Sequence, residues 1–253
     1  MSGEEPRGFE ELWAHAERLL SAAEHAGATL RAMGGIAVRR RSTDLGGLDP
    51  GRRVYHDIDL VGRQRDIRTL DATILELGYE PDRAVNTQFG TVRRVYYHPD
   101  GFHLDLFFER LEFCHTILLN ERLHLVARTI PAADLLLQKL QIMERNEKDL
   151  IDVFWLLLNH ALLTGEPEQI EIDRVVSLTG SDWGLHTTAT DFVGHALQLL
   201  PEQNLVPQAR ELIGSRLMEL QAAIDAAPKS LRWRARERVG RRVRWYRVVE
   251  EVL

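Results

Sequence analysis

Apolar residues recur at helical spacing from early in the chain. Phe9, Leu12, Trp13, Ala16, Leu19, Leu20 and Ala23 share one face and predict a helix over residues 9–26, stopped by Gly27. The period then changes. Thr29 to Met33 predicts a short strand, Gly34-Gly35 a turn, and residues 36–42 a short helix. A Gly-, Asp- and Pro-rich loop over 43–53 follows, expected beside the active face because it links the glycine turn to the next strand. That strand is Val54 to Val61, with Ile58 and Leu60 on one face and Asp57 and Asp59 on the other. A helix over 66–77 ends at Gly78. Val92 to His98 and Phe102 to Phe108 flank Pro99-Asp100-Gly101 and predict a hairpin. Leu123 to Ile130 is a further candidate strand.

From Pro131 onward the pattern is helical. Helices are predicted over 132–145, 148–160, 173–178, 181–200, 207–227 and 231–253, with a polar linker over 165–171. The order of elements predicts an α+β protein: a small mixed sheet with flanking helices over 1–130, then a helical bundle over 131–253. The helix at 148–160 is apolar nearly all round, so Lys148, Asp149 and Asp152 at its entry should be paired or lie in a cleft. The last predicted helix carries an apolar stripe of Val239, Val243, Tyr246, Val249 and Leu253 with Arg on its other faces.

Composition adds compartment and charge. At 253 residues and 44% hydrophobic, the chain can bury a substantial core. One cysteine, Cys114, allows no internal disulfide and points to a reducing, cytoplasmic setting. No run approaches the ~18 apolar residues of a membrane span, and the first residues are not signal-like. The net charge of −6 hides an asymmetry: Lys229 to Leu253 holds nine Lys or Arg and three Glu, a net of +6, leaving −12 for residues 1–228. Such an end either docks on the acidic body or meets a polyanion, and Trp233 and Trp245 beside the Arg residues give it an RNA-contacting reading.

Candidate chemistry sits on the strands. Two residues of strand advance about 6.6 Å, so Asp57 and Asp59 can serve one site, and like charges that close call for a cation between them. A third acid, Asp105, lies mid-strand among Phe102, Leu104, Leu106 and Phe108, where it needs a partner. That partner is either a metal shared with Asp57 and Asp59 or an Arg in the core. His103 reads as a packing or hydrogen-bonding residue, since Mg²⁺ prefers oxygen. Gly34-Gly35 permits close approach of backbone to a phosphate, and Arg39, Arg40, Arg41, Arg52 and Arg53 form a cationic rim suited to a polyphosphate.

Gly34-Gly35, Asp57-Ile58-Asp59 and Asp105, in that order, resemble the DNA polymerase β-like nucleotidyltransferase superfamily, with Arg53 four residues before the first Asp. The segment from Lys139 through Arg145, Lys148 and Asp149 to Asp152 resembles the signature of abortive-infection type (AbiEii-like) nucleotidyltransferase toxins. The resemblance covers about residues 28–160. The loop between Gly35 and Asp57 is longer than the family pattern, and the C-terminal helices carry no matching motif. It implies a nucleotidyltransferase core over 1–130 and transfer of a nucleotide from an NTP, such as ATP, to an acceptor hydroxyl. It further implies two Mg²⁺ (or Mn²⁺) ions on Asp57, Asp59 and Asp105, with Asp105 helping to deprotonate the acceptor. Gly34, Gly35, Arg53, Lys139 and Lys148 would bind the nucleotide, with Asp149 and Asp152 in support. The acceptor is open between RNA or protein, in a toxin with an antitoxin partner, and a small molecule such as an antibiotic. A nucleotide- or partner-binding module without catalysis is the third reading. No membrane association is expected.

Overall fold

A computed structural model of the chain describes residues 8–248. Contacts divide the chain into two compact units, one of residues 1–41, 53–111 and 118–131, the other of 42–52, 112–117 and 132–253. The architecture is α+β: a mixed five-stranded sheet in the first unit and a helical second unit.

In the first unit α1 (Phe9–His25) buries the apolar stripe read from the sequence, with Leu12, Ala16 and Ala23 fully enclosed. The strands are β1 (Leu30–Ala32), β2 (Asp57–Gly62), β3 (Glu80–Pro81), β4 (Arg93–His98) and β5 (Phe102–Phe108), in the order β1-β2-β5-β4-β3. Only β2 and β5 pair in parallel; the other neighbours are antiparallel. Ile58, Leu60, Leu104 and Leu106 are fully buried on one face of the central pair, which anchors register, because a one-residue slip would send every one of them to the opposite face. The short α2 (Gly34–Arg41) follows β1, and α3 (Ile67–Glu76) follows β2. A helix the sequence pattern did not predict, α4 (Arg83–Phe89), is capped by Asp82, whose carboxylate accepts from the Val85 N–H at 2.9 Å. It buries no residue, so it has no apolar stripe to betray it.

Leu123–Ile130 is not a strand. The segment runs through turns, with Leu125 N–H donating to Arg122 C=O at 3.2 Å and Arg128 at φ 67°, and only Thr129 bridges to Ala32. Its buried apolar residues Leu123, Val126 and Ile130 are three and four apart, a spacing that turns satisfy and a strand does not.

The second unit is built on α5 (Ala132–Leu140), α6 (Glu147–Asn159), α7 (Ile172–Ser181), α8 (Trp183–Leu199), α9 (Pro207–Ala226) and α10 (Leu231–Val239). The predicted helix over 132–145 ends at Leu140, and Asn146 starts α6 with a capping box: its side chain accepts from Asp149 N–H while the Asp149 carboxylate accepts from Asn146 N–H. Val153 through Leu157 of α6 are fully buried, as its all-round apolarity requires. Asn159 fastens the 43–53 loop into this unit, its Oδ1 accepting from the Thr43 and Asp44 N–H groups at 3.0 and 2.9 Å.

The long C-terminal helix predicted over 231–253 stops at Val239. Gly240 takes φ 59°, and Arg236 bonds the Gly240 and Val243 carbonyls, each at 2.7 Å, closing a turn. Val239 and Val243 are exposed instead of sharing a buried stripe, and Val249 and Leu253 lie outside the described residues. Beyond the turn, Arg247 N–H donates to Cys114 C=O at 3.0 Å and its guanidinium donates to Phe113 C=O and Thr116 Oγ1. The basic segment is therefore folded back within its own unit rather than extended as a helix.

Candidate active site

The parallel pairing of β2 and β5 sets Asp57 beside His103 and Asp59 beside Asp105, so all four side chains rise from one face of neighbouring strands. The face is polar because the other one supplies the core. Asp57 and Asp59 are half-buried, and Asp105 is 5% exposed.

The glycine pair belongs to this face. Met33 N–H donates to Asp59 C=O at 2.9 Å, holding the turn against β2. Gly34 has φ 68°, and a Cβ there would overlap the Asp59 carboxylate; a Cβ on Gly35 would overlap the Arg53 guanidinium. Glycine is needed at Gly34 both for its left-handed backbone and for the carboxylate packed on it. Arg53 is buried, donates to Val54 C=O at 2.6 Å and lies over the Tyr55 ring. Gly34, Gly35, Arg53 and Asp59 thus form one cluster.

Asp105 meets the core-arginine alternative. Arg93 donates from Nε to Oδ1 at 3.0 Å and from Nη2 to Oδ2 at 2.8 Å, a bidentate charge-assisted pair. Burial pushes the Asp105 carboxyl up from its ordinary range; Arg93 opposes this, and the charge of Asp57 adds to it. Arg93 was not singled out from the sequence. Its signal lies in the hairpin: the Pro99-Asp100-Gly101 turn puts Val95 opposite Asp105 and Arg93 opposite Phe107, on the same face and diagonal to the acid.

Among the described residues, the group of three whose ligand atoms all lie within 4.8 Å of one another is His15, His98 and Asp100, not the three aspartates. In that group Arg18 Nη2 lies 2.7 Å from His15 Nδ1 and 3.3 Å from its Nε2, and burial together with the Arg18 charge pushes the His15 pKa down. Hard oxygen donors for Mg²⁺ are found on Asp57 and Asp59, with Asp105 engaged by Arg93.

The remaining arginines of the expected rim have other employment. Arg39 lies over Phe9 and Arg40 over Trp13, and Arg41 donates to Thr129 Oγ1 at 3.3 Å. Arg52's side chain is outside the described set. In the second unit Lys139 is buried between two buried acids, with Nζ 3.1 Å from Asp149 and 2.8 Å from Asp152. Lys148 is half-buried on the first turn of α6.

No family model matches the chain, and no curated protein matches it. Among solved structures it is similar to the lincosamide antibiotic adenylyltransferase LnuA in its lincomycin-bound form (16% identity, TM-score 0.39, 58% of this chain and 95% of that one). It is also similar to an antigenic nucleotidyltransferase-like protein from Paracoccidioides brasiliensis (17% identity, TM-score 0.44, 89% and 97%). The antibiotic-resistance factor ANT(2'')-Ia is similar at 15% identity and TM-score 0.36, with 93% of this chain and 100% of that one covered.

Proposed function

We propose that the chain is a nucleotidyltransferase that moves a nucleoside monophosphate from an NTP to an acceptor hydroxyl. The observation that carries this reading is the shared face of β2 and β5, with Asp57, Asp59 and Asp105 side by side and the Gly34-Gly35 turn packed on Asp59 and Arg53. Asp57 and Asp59 would hold divalent magnesium, or manganese, which when bound neutralises charge gathering on the α-phosphoryl group and its leaving pyrophosphate. Arg53, packed on Gly35, would offer its guanidinium's positive charge to a triphosphate beside the glycine pair. Asp105 takes the proton of the acceptor hydroxyl at its carboxylate, and a carboxyl pushed up by burial is the better base. Arg93 keeps that carboxylate ionised and aimed along the sheet face until the acceptor arrives.

Lys139 would act as a brace for α6, since two buried carboxylates already neutralise it. The toxin-type reading with an antitoxin partner rests on the 139–152 segment alone. An RNA or protein acceptor and a small-molecule acceptor, such as an antibiotic, both fit the chemistry. The test is incubation with each α-labelled NTP and Mg²⁺, together with total RNA, protein extract or an antibiotic panel. Label should move to one acceptor class with wild type and not with Asp57→Asn. Full transfer by that variant would refute the assignment, and nucleotide binding without transfer to any acceptor would leave a binding module.

A further inference from the structure

We propose that the second unit carries a separate site for a nucleotide's base and phosphate, in the cavity where α8, α10 and the folded-back C-terminal segment meet. The cavity holds about 590 Å³, within the size range of small-ligand sites. Its walls include Trp183, Trp233, Trp245 and Tyr246, together with Arg232 and Arg244. Three of the five tryptophans of the chain therefore line one hollow. Trp183 and Trp233 are buried, with Arg236 over the one ring and Lys229 over the other, so the half-buried Trp245 and Tyr246 are the rings offered to a base, and Arg232 and Arg244 the forked N–H donors offered to a phosphate.

Several details point to an anionic ligand rather than to a packed hydrophobic seam. Asp182 is the one acid on the wall, and its Oδ1 is taken by the Gly184 and Leu185 N–H groups at 2.7 and 3.1 Å. Arg236 and Arg247, also on the wall, spend their donors on backbone carbonyls and Thr116, and Arg247 also pairs with Glu112 at 3.7 Å. Arg232 and Arg244 form no ion pair among the described residues, and both are exposed. Arg244 lies 5.9 Å from the Tyr246 ring centroid, which places positive charge beside an aromatic face. The basic end thus forms a concave site from α10 and the segment that follows its turn.

The assignment is independent of catalysis at Asp57 and is tested by binding alone. AMP is titrated against the full chain in EDTA, following quenching of intrinsic tryptophan fluorescence and heat by calorimetry, with adenosine and inorganic phosphate as the two half-ligands. AMP should bind more tightly than either half, and Arg232→Gln/Arg244→Gln should weaken it about tenfold or more while leaving the melting curve unchanged. Asp57→Asn should leave AMP binding intact. Three results would each overturn the site: no AMP binding at millimolar concentration, affinity equal in the double Arg variant and wild type, or loss of binding in Asp57→Asn with retention in the Arg variant.

Discussion

Replacing Arg93 by Met keeps an unbranched apolar stem over Phe107 and removes only the charged fork. Two charge-assisted bonds vanish, and Asp105, 5% exposed, is left without its countercharge. Breaking a buried pair from one side costs about 3–5 kcal/mol; with the Arg93 side chain 28% exposed, the lower end, about 3 kcal/mol, is expected. The pH dependence follows from linkage. Burial raises the folded carboxyl above its unfolded value, so its stability contribution is whole below the unfolded pKa and is lost as pH rises through the folded one. Without Arg93 the folded value climbs further, and the loss extends over a wider span upward in pH. Urea unfolding followed by circular dichroism should show wild type and Arg93→Met close together near pH 4 and about 3 kcal/mol apart at pH 7.5. An equal gap at both pH values, or a gap under about 1 kcal/mol at pH 7.5, would refute the account of Asp105 as a buried charge held by Arg93.

Millimolar Mg²⁺ should restore part of the lost stability in Arg93→Met, by supplying Asp57, Asp59 and Asp105 with a new countercharge. Adding excess EDTA should remove the gain, and thermal melts with and without the metal measure it. Gly34→Ala forces a Cβ at φ 68° into the Asp59 carboxylate, so a loss of about 1–3 kcal/mol by denaturant unfolding is expected, with nucleotide transfer abolished. Lys139→Ala strands two buried carboxylates and should cost about 3–5 kcal/mol, whereas a phosphate-binding role alone would leave stability unchanged. His115 is held neutral, its pKa pushed down to about 4 by burial, with Arg247 adding to the effect and Asp182 opposing it. Its contribution is present above the unfolded value of 6.5 and lost as pH falls toward 4, so His115→Asn should flatten about 3 kcal/mol of the acid-side decline in a pH series of urea midpoints.

The two central strands were legible because their residues obey simple periods: Asp57 and Asp59 alternate with Ile58 and Leu60, and Phe102 to Phe108 does the same around Asp105; the helix expected from residue 36 begins at Gly34 itself. What escaped was tertiary. Which of two partners Asp105 would take could not be read from a single strand, because the deciding residue, Arg93, becomes its neighbour only through hairpin register. The α4 helix buries nothing and so leaves no pattern. The C-terminal segment has helical spacing in its valines, yet the left-handed backbone of Gly240 and the Arg236 bonds to two carbonyls end the helix early. Leu123, Val126 and Ile130 were misjudged for a different reason: short apolar runs fit strand or turn until their exact spacing is weighed.

The way Asn159 fastens the 43–53 loop has a consequence for anyone wishing to divide the molecule. Because residues 42–52 and 112–117 group with the later helices, the two bodies are interleaved along the chain. A fragment beginning at residue 132 would lack the amides that satisfy Asn159 and the carbonyls that receive Arg247. Neither unit can be excised by a single scission of the chain.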